Sequence, residues 1–551
     1  STSSDTDVTI YGGEAGSAIL GLYADNGDDN ADKWQLVSRT NNNIALRSYS
    51  TGSWVYHLQL DANSRISLSN NDAGGTGGSD SLSANTILGH LAGEDIASGG
   101  VDNTYFGHKA GSNNATGDDN TFIGSNAGKG VHGNSNDDNT GIGSDCMLAI
   151  TTGTRNTAVG RGAGDGLTTV NRTVLIGDSA GSGVMTTGGS IPSNADGTVA
   201  VGYASLYSLT TGVGNTGVGY ETLNVENDGD YCTAVGYQAL TNQTGTTGEV
   251  GNTAVGTQAA LSMTKGKHNT AVGLWALYSD DVGDGSTAIG KSALYAQNSD
   301  SDNEATGNTG VGFNVGLYNV TGTDNTWLGY KAGFGASGQS NTGNTGVGME
   351  SLLDITVGEY NTSVGWKSGH NLQGGDYNVF VGNYAGEGTT AGNKMTFVGG
   401  AAGRGVATTD ADGAVGVGYA ALNALTSGSQ NVAVGYEAML AQTTGHSNVA
   451  VGYQSQLNAN NNAADGNVSV GNFTLDGFGD VAVHSLTALG HSALSGSLTS
   501  AAAGATAVGR DALGALTSGA GNTAVGLKAL EDITTGSYNT VVGHEAMQNA
   551  Q

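Results

Sequence analysis

The chain has 551 residues, of which 96 are Gly and one is Pro, and it carries a formal net charge of −30. This length favours several domains or a repeat array over one globular domain. The lack of a strict three-residue Gly period excludes collagen, and the acidic balance argues against nucleic acid or anionic membranes as partners. Since no 18-residue apolar run occurs, no transmembrane helix is predicted.

The first part of the chain, residues 1–72, lacks the repeat that dominates the rest. It alternates apolar and polar residues between polar turns, a pattern typical of antiparallel strands. We therefore predict a small antiparallel β module over 1–72, followed by a Gly- and Ser-rich linker over 73–84. The predicted strands are Asp7–Tyr11, Ser17–Ala24, Lys33–Arg39, Ile44–Ser48, Ser53–Asp61 and Arg65–Ser69.

From residue 85 to residue 551 the chain repeats one unit, of which Asn-Thr-Ala-Val-Gly-Leu-Trp-Ala-Leu at 269–277 is an example. The unit occurs in 26 copies, each with an anchor glycine, from Gly89 to Gly543. Of the 25 spacings between anchors, 15 are 17 residues and the others are longer. A fixed minimum with occasional insertions is typical of a solenoid coil with variable surface loops.

Positions in the unit are numbered here from the anchor glycine. Position −1 is Val, Ile, Leu or Phe in every copy, which predicts a short buried strand. The anchor predicts a positive φ or a corner without room for Cβ. Position +3 is Ala in 18 copies, and position −4 is Asn in 18 copies, which predicts a ladder of stacked amides.

The predicted fold class is therefore all-β: a parallel β-solenoid or β-roll repeat array, forming a homotrimeric fibre and preceded by a small antiparallel β module. Trimerisation is predicted because a 17-residue coil encloses little apolar area, so lateral burial calls for further chains. Trp275 and Trp327 stand at other phases and are predicted at interchain contacts. The long insertions between Gly177 and Gly202 and between Gly290 and Gly312 are the predicted places for specificity.

Aromatic residues at position +1 are the candidate ligand-binding residues. A column of outward rings would suit flat apolar sugar faces, whereas rings that stack along the wall would be packing, and the sequence leaves both open. The candidates are Tyr203, Tyr220, Tyr237, Tyr330, Trp366, Tyr419, Tyr436 and Tyr453.

No cofactor is predicted, but two metal hypotheses stay open. His at position +1 in three chains could supply three ligands on a shared axis, and acidic loops could hold Ca²⁺. The two cysteines, Cys146 and Cys232, are predicted to be buried thiols rather than a disulfide. The histidines concerned are His90, His108, His491 and His544, and the loops are Asp25–Asp32, Asp118–Asn120, Asn134–Asp138 and Asp300–Glu304.

Enzymatic chemistry is not predicted, since no Gly-x-Ser-x-Gly with a partnered His, no Cys-x-x-Cys and no His-Glu-x-x-His occurs. A glycoside hydrolase on a solenoid stays an alternative without located carboxylates. Ice binding by the Thr at position −3 is a further alternative, but a structural Thr ladder at that position is the preferred interpretation.

The unit Asn-Thr-Ala-Val-Gly-Tyr-Gln-Ala-Leu with Thr-Thr-Gly turns resembles repeats in bacteriophage tail fibres, and it is similar to the β-roll in heads of trimeric autotransporter adhesins. The resemblance implies a virion tail fibre, extracellular and without membrane insertion, with other tail or baseplate proteins as partners. It also implies attachment to a host-surface glycan or outer-membrane protein. In that phage family the repeats often precede a self-cleaving chaperone domain, so we expect a processed or truncated chain. The alternative is a bacterial cell-surface trimeric adhesin or an extracellular filament.

Overall fold

The structure is a computed structural model. It describes residues 16–23, 33–38, 44–50, 53–60, 66–67, 84–96, 99–133, 135–186, 195–245, 248–302, 304–459, 464–477 and 481–550. The chain divides into two compact units, Ser1–Val250 and Gly251–Gln551, each of which is described by itself.

The first unit begins with a five-stranded antiparallel sheet in which each strand pairs with the next along the chain. Side chains alternate as expected for a half-buried sheet, with Gln35 and Val37 buried and Trp34 and Leu36 exposed. The antiparallel module is confirmed, whereas the strand predicted at Asp7–Tyr11 and nearly all of the 73–84 linker lie outside the described residues. The strands are β1 (Ala18–Tyr23), β2 (Lys33–Ser38), β3 (Ile44–Ser50), β4 (Ser53–Leu60) and β5 (Ile66–Ser67).

The rest of the first unit is a parallel β-solenoid of nine coils, each contributing one three-residue strand that ends just before an anchor glycine. A further pair of two-residue strands, β14 (Gly229–Asp230) and β16 (Gly248–Glu249), is also parallel. The coil strands are β6 (Thr86–Leu88), β7 (Thr104–Phe106), β8 (Thr121–Ile123), β9 (Thr140–Ile142), β10 (Thr157–Val159), β11 (Val174–Ile176), β12 (Val199–Val201), β13 (Thr216–Val218) and β15 (Thr233–Val235).

The second unit is a parallel solenoid of seventeen coils built in the same way, with short 3₁₀ turns at Thr409–Ala411 and Ser500–Ala502. Its strands are β17 (Thr253–Val255), β18 (Thr270–Val272), β19 (Thr287–Ile289), β20 (Thr309–Val311), β21 (Thr326–Leu328), β22 (Thr345–Val347), β23 (Thr362–Val364), β24 (Val379–Val381), β25 (Thr396–Val398), β26 (Val415–Val417), β27 (Val432–Val434), β28 (Val449–Val451), β29 (Val468–Val470), β30 (Thr487–Leu489), β31 (Thr506–Val508), β32 (Thr523–Val525) and β33 (Thr540–Val542).

Successive coils pair without any shift in register, so each position of the repeat stacks on the same position of the next coil. In β17 and β18, for example, Thr253 lies opposite Thr270 and Val255 opposite Val272. The insertions do not disturb this register, because β19 and β20 pair in the same way across the insertion between them. The predicted parallel solenoid is thus confirmed in both units.

The interior of each coil is built mainly from positions −2, +3, +4 and +7, and the prediction that position −1 is buried is wrong. Because side chains alternate along a strand, the buried residue is the middle one, at position −2, in every coil strand from β7 onward. Positions −3 and −1 point outward. Trp327 is also at position −2 and wholly buried, so its predicted role at an interchain contact is wrong.

Positions −2 and +4 compensate each other in size. Where position −2 is large, as in Phe397, position +4 of the same coil is glycine, as in Gly403, whose Cβ would overlap the Phe397 ring. Where position −2 is small, as in Gly416, position +4 is usually a buried leucine such as Leu422. In most coils one large and one small residue therefore share this part of the close-packed interior. The other large residues with glycine at +4 are Ile87, Tyr105, Phe122, Leu175, Trp327 and Phe380.

The anchor glycines meet both predicted conditions. Gly382 has a φ of +134°, and a Cβ there would overlap the carbonyl group of Gly399, the anchor of the next coil. Side chains are excluded at this corner because two backbones come together there.

Three further positions of each coil have a left-handed backbone: position −5, before the strand, and positions +2 and +4, after the anchor. Positions +2 and +4 have φ between +47° and +62° in all 26 coils, and most of them are not glycine. In the coil of Gly236 these residues are Gln238 and Leu240, at +53° and +50°. Non-glycine residues with a left-handed backbone are uncommon in proteins. Their recurrence at +2 and +4 therefore defines the sharp turn that follows each strand.

Buried asparagines at position −4 form the predicted amide ladder. The Nδ2 of Asn361 donates to Oδ1 of Asn344 at 3.0 Å and to the carbonyl of Gly375 at 2.8 Å. Its Oδ1 in turn accepts from Nδ2 of Asn378 at 3.0 Å. Each interior amide thus meets the hydrogen-bonding needs of the coils on both sides, which makes its burial tolerable.

Two other ladders were not predicted. At position −6 a side chain accepts the backbone N–H of the same position in the preceding coil, as Asp376 Oδ1 does from Glu359 N at 2.8 Å. At position +8 a Thr hydroxyl donates to a carbonyl of the next coil, as Thr426 does to Thr443 at 3.0 Å. A structural Thr ladder therefore exists, but at +8 and not at the predicted position −3.

Candidate binding surfaces

The candidate aromatic residues at position +1 all point outward. Each of the eight is 42–54% exposed. Their rings therefore lie outside the coil interior. Alongside the column, at positions −3 and −1, lies the outward face of the strands.

Within the column the rings stack on one another. Tyr220 lies between Tyr203 and Tyr237, with ring centroids 5.1 Å and 5.2 Å apart and interplanar angles of 17° and 11°. In the second unit Tyr436 lies between Tyr419 and Tyr453 at 5.3 Å and 5.2 Å. The middle ring of each trio has a neighbour on both faces, so it presents mainly its edge and hydroxyl to a ligand.

The two trios share the same polar surroundings. In each, position +2 of the three coils reads Ala, Glu, Gln, and the Gln amide donates to the Glu carboxylate of the preceding coil. These bonds are Gln238 Nε2 to Glu221 Oε2 at 2.9 Å and Gln454 Nε2 to Glu437 Oε2 at 2.7 Å. The hydrogen bond to Glu221 raises the pKa of the Tyr220 phenol above its ordinary value. The chain thus carries the same six-residue surface cluster once in each unit.

The two remaining candidates stand apart from the trios. Tyr330 stacks on Phe313 at 5.5 Å, and Trp366 tilts against Tyr384 at 4.8 Å. A second aromatic column, at position −5, was not predicted from the sequence. There the ring centroids of Tyr360 and Tyr377 stack 5.2 Å apart. Ligand binding by any of these residues stays a prediction.

The outward face of the coil strands is a surface without charged side chains. It consists of positions −3 and −1 of the 26 coil strands and is called the strand face below. Position −3 is always Thr or Val, and position −1 is always Val, Ile, Leu or Phe. Many −1 side chains are well exposed, among them Leu88, Phe106, Ile176, Val364 and Val470.

A shallow groove in the second unit brings a serine and a histidine together. It has a volume of about 510 Å³, and its lining includes Asp410, Asp412, Ser429 and His446. Ser429 Oγ lies 3.0 Å from His446 Nδ1, but this nitrogen also accepts the backbone N–H of Ser429 at 3.1 Å. His446 therefore acts as the acceptor of the ladder at position −6. This structural role explains why the two side chains lie together, and no catalytic pair of nucleophile and base is needed to explain it.

The metal hypotheses gain no geometric support within the part of the chain that the structure describes. There, no three or more His, Cys, Asp or Glu side chains are arranged to hold a metal ion. His90 and His108 stack on each other at 5.6 Å, and Asp118 Oδ1 accepts the N–H of Val101 as a member of the ladder at position −6. Partial desolvation, together with the negative charges of Asp102 and Asp138, raises the pKa of the carboxyl of the exposed Asp119. The loop at Asp25–Asp32 lies outside the described residues.

Both cysteines are free and buried, as predicted. Burial raises the pKa of the Cys146 thiol to about 12, so this thiol is unreactive at neutral pH.

No family model, no curated protein and no solved structure matches the chain. Among the described residues, no helix has the length and apolar character needed to cross a bilayer.

Proposed function

We propose that this chain forms the shaft of an attachment fibre of the kind carried by bacteriophage tails. On this proposal it is a homotrimer, joins other tail or baseplate proteins, and holds receptor-contacting loops at the host surface. It has no enzymatic role of its own.

The observation that carries the proposal is the uniformity of the stack. Coil after coil pairs in the same register, and the ladders at −4, −6 and +8 link neighbouring coils by side-chain hydrogen bonds. Such an array is suited to rigidity and length, because each coil interacts with its two neighbours in the same way. Insertions and outward positions such as +1 vary between coils, and contacts with a receptor would be made there.

The tyrosine trios are the proposed contacts for a host glycan. Their hydroxyls repeat at the spacing of the coils, beside the carboxylates of Glu221 and Glu437. A regular row of donors and acceptors fits a polymer with a regular row of hydroxyl groups, and several weak contacts together would give avidity.

Immunogold electron microscopy tests the proposal. Antibodies against the purified protein should label the tails of the virus particles that encode it, and soluble protein should reduce their adsorption to host cells. Label on a bacterial envelope, with none on particles, would replace the proposal by the adhesin alternative.

A further inference from the structure

We infer that the strand face is the surface through which copies of this chain pack against one another. This inference rests on the proposed function, since a homotrimeric shaft needs a lateral interface, and it names that interface. The occupant of the strand face is a second copy of the chain.

The first argument is the composition of the face. The chain carries a formal net charge of −30, yet none of the 52 residues at positions −3 and −1 of the 26 coil strands is charged. Adjacent outward positions do carry charge, as Arg161 and Asp178 at +1 show with their ion pair at 2.9 Å. Depletion of charge at the centre of a patch is the compositional mark of a protein interface.

The second argument is that the side chains of the strand face contribute neither to the interior of their own coil nor to its side-chain ladders. The −2 side chains fill the interior, while −1 residues such as Val255 and Ile289 remain 37% and 39% exposed. Internal Thr ladder bonds are made at +8, so the −3 hydroxyls are not needed there. A regular row of partly exposed apolar side chains of this length generally marks an interaction site.

The third argument is periodicity combined with area. A partner that covers the face must repeat at the spacing of the coils, and another copy of the chain does so by construction. With a strand spacing of about 4.8 Å and a width of about 10 Å, the face of the seventeen-coil unit covers about 800 Å². This footprint is comparable with the accessible surface of about 800 Å² that each partner buries in a standard stable interface.

Cysteine cross-linking tests the face in the full chain. Val364→Cys places a thiol on the strand face, and Tyr360→Cys places a matched exposed thiol at position −5 of the same coil. Cys146 and Cys232 are wholly buried, so background reaction is low. Under mild oxidation we expect at least tenfold more covalent dimer from Val364→Cys than from Tyr360→Cys, and the reverse order would overturn the inference.

Charge insertion gives an independent measurement. The triple variant Val364→Asp, Val381→Asp, Val398→Asp adds three charges to the strand face of successive coils. Its control is Tyr360→Asp, Tyr377→Asp, Lys394→Asp, at position −5 of those coils, where φ is positive and Asp is well tolerated. Sedimentation should show an assembled wild type and control, with a several-fold lower mass for the strand-face variant and unchanged circular dichroism.

The outcomes separate this inference from the proposed function. If the wild type is assembled and only the control variant has a lower mass than the wild type, the strand-face assignment is overturned. The fibre proposal would still stand in that case. A monomeric wild type of 54.7 kDa would overturn both the inference and the proposed homotrimer, and thermal hysteresis in that sample would assign the face to ice. If the charged variant unfolds, the cross-linking comparison decides.

Discussion

Glu226 is a buried acidic residue at a position of the coil that is apolar in the preceding coil. It lies at position +7, where the preceding coil has the buried Leu209. Its Oε1 accepts the backbone N–H groups of Asn227, Asp228 and Gly229 at 2.9, 3.1 and 2.7 Å, while Oε2 is buried without a hydrogen bond. Burial, the largest influence, raises the pKa of this carboxyl above its ordinary value. The ionised form is therefore disfavoured in the folded chain.

Replacing this carboxyl by an amide should stabilise the protein at neutral pH. Because the pKa is higher in the folded than in the unfolded chain, Glu226 lowers stability increasingly as pH rises from the ordinary carboxyl range through the folded-state pKa. Glu226→Gln keeps the oxygen that accepts the three N–H groups and removes the ionisation. We expect its thermal unfolding midpoint to exceed that of the wild type at pH 8 and to approach it near pH 4.

The matched control is Glu359→Gln, which removes one carboxylate from an exposed position of the second unit. This variant should follow the wild type across the pH range. If both variants gain equally at pH 8, the effect comes from the net charge and not from burial of Glu226.

The coil is the element at which packing is decided. Phe397 stacks on Phe380 of the preceding coil at 5.6 Å, and Gly403 leaves room for its ring. The next coil fills the same volume with Gly416 and the buried Leu422, whose φ of +52° shows that leucine is accepted at this left-handed position. Two combinations of side chains thus occupy one backbone shape.

Replacing the pair of a large residue at −2 and glycine at +4 by a small residue and leucine should restore the stability that each single substitution removes. Phe397→Ala should cost about 3–5 kcal/mol by opening a cavity. Gly403→Leu should also destabilise strongly, because its side chain meets the ring. The double variant should recover most of the loss in the thermal midpoint. A double variant that loses the sum of the two single effects would contradict the compensation.

Much of the coil could be predicted from the sequence, and the rest could not for identifiable reasons. The anchor glycine and the Asn at −4 recur as single residue types, so their roles follow from recurrence. The ladder at −6 was missed because Asp, Asn, Ser and His share it, as Asp376 and His446 show. Position −1 was misassigned because apolar character alone does not tell which face of a three-residue strand is buried. Pairing positions −2 and +4 copy by copy would have disclosed the compensation.

The candidate site was predicted only as a column of residues. Sequence phase placed the tyrosines at one position of the coil, but it does not give the direction of a side chain or the tilt of a ring. The stacking of Tyr203, Tyr220 and Tyr237 depends on the axial distance between coils. The bond between Glu221 and Gln238 depends on residues 17 apart, a spacing that becomes meaningful once the coil length is known.

At the scale of the whole molecule, the stack is a series of interchangeable coils within each unit. Removing 436–452 deletes one 17-residue period and joins Gly435 to Tyr453, so every following position keeps its phase. We expect this variant to keep the circular dichroism of the wild type, with a thermal midpoint within a few degrees of it.

Removing 436–451 is the matched control, since it is one residue shorter and places two anchor glycines side by side. In the affected coil it displaces the position +4 residue from the interior, and we expect a clearly lower midpoint. Equal stability of the two deletions would show that the 17-residue period does not define the coil.

The left-handed residues that recur in every coil affect how the chain resists proteolysis. Every coil holds three left-handed residues, at −5, +2 and +4, within a few residues of its strand. Proteases bind their substrates as extended segments. Here a segment of that length cannot be straightened without reversing the left-handed torsions and breaking the hydrogen bonds to the two neighbouring coils. We therefore expect proteolysis at the inserted loops, and a chain cut there would still be held together by the hydrogen-bond ladders between its coils.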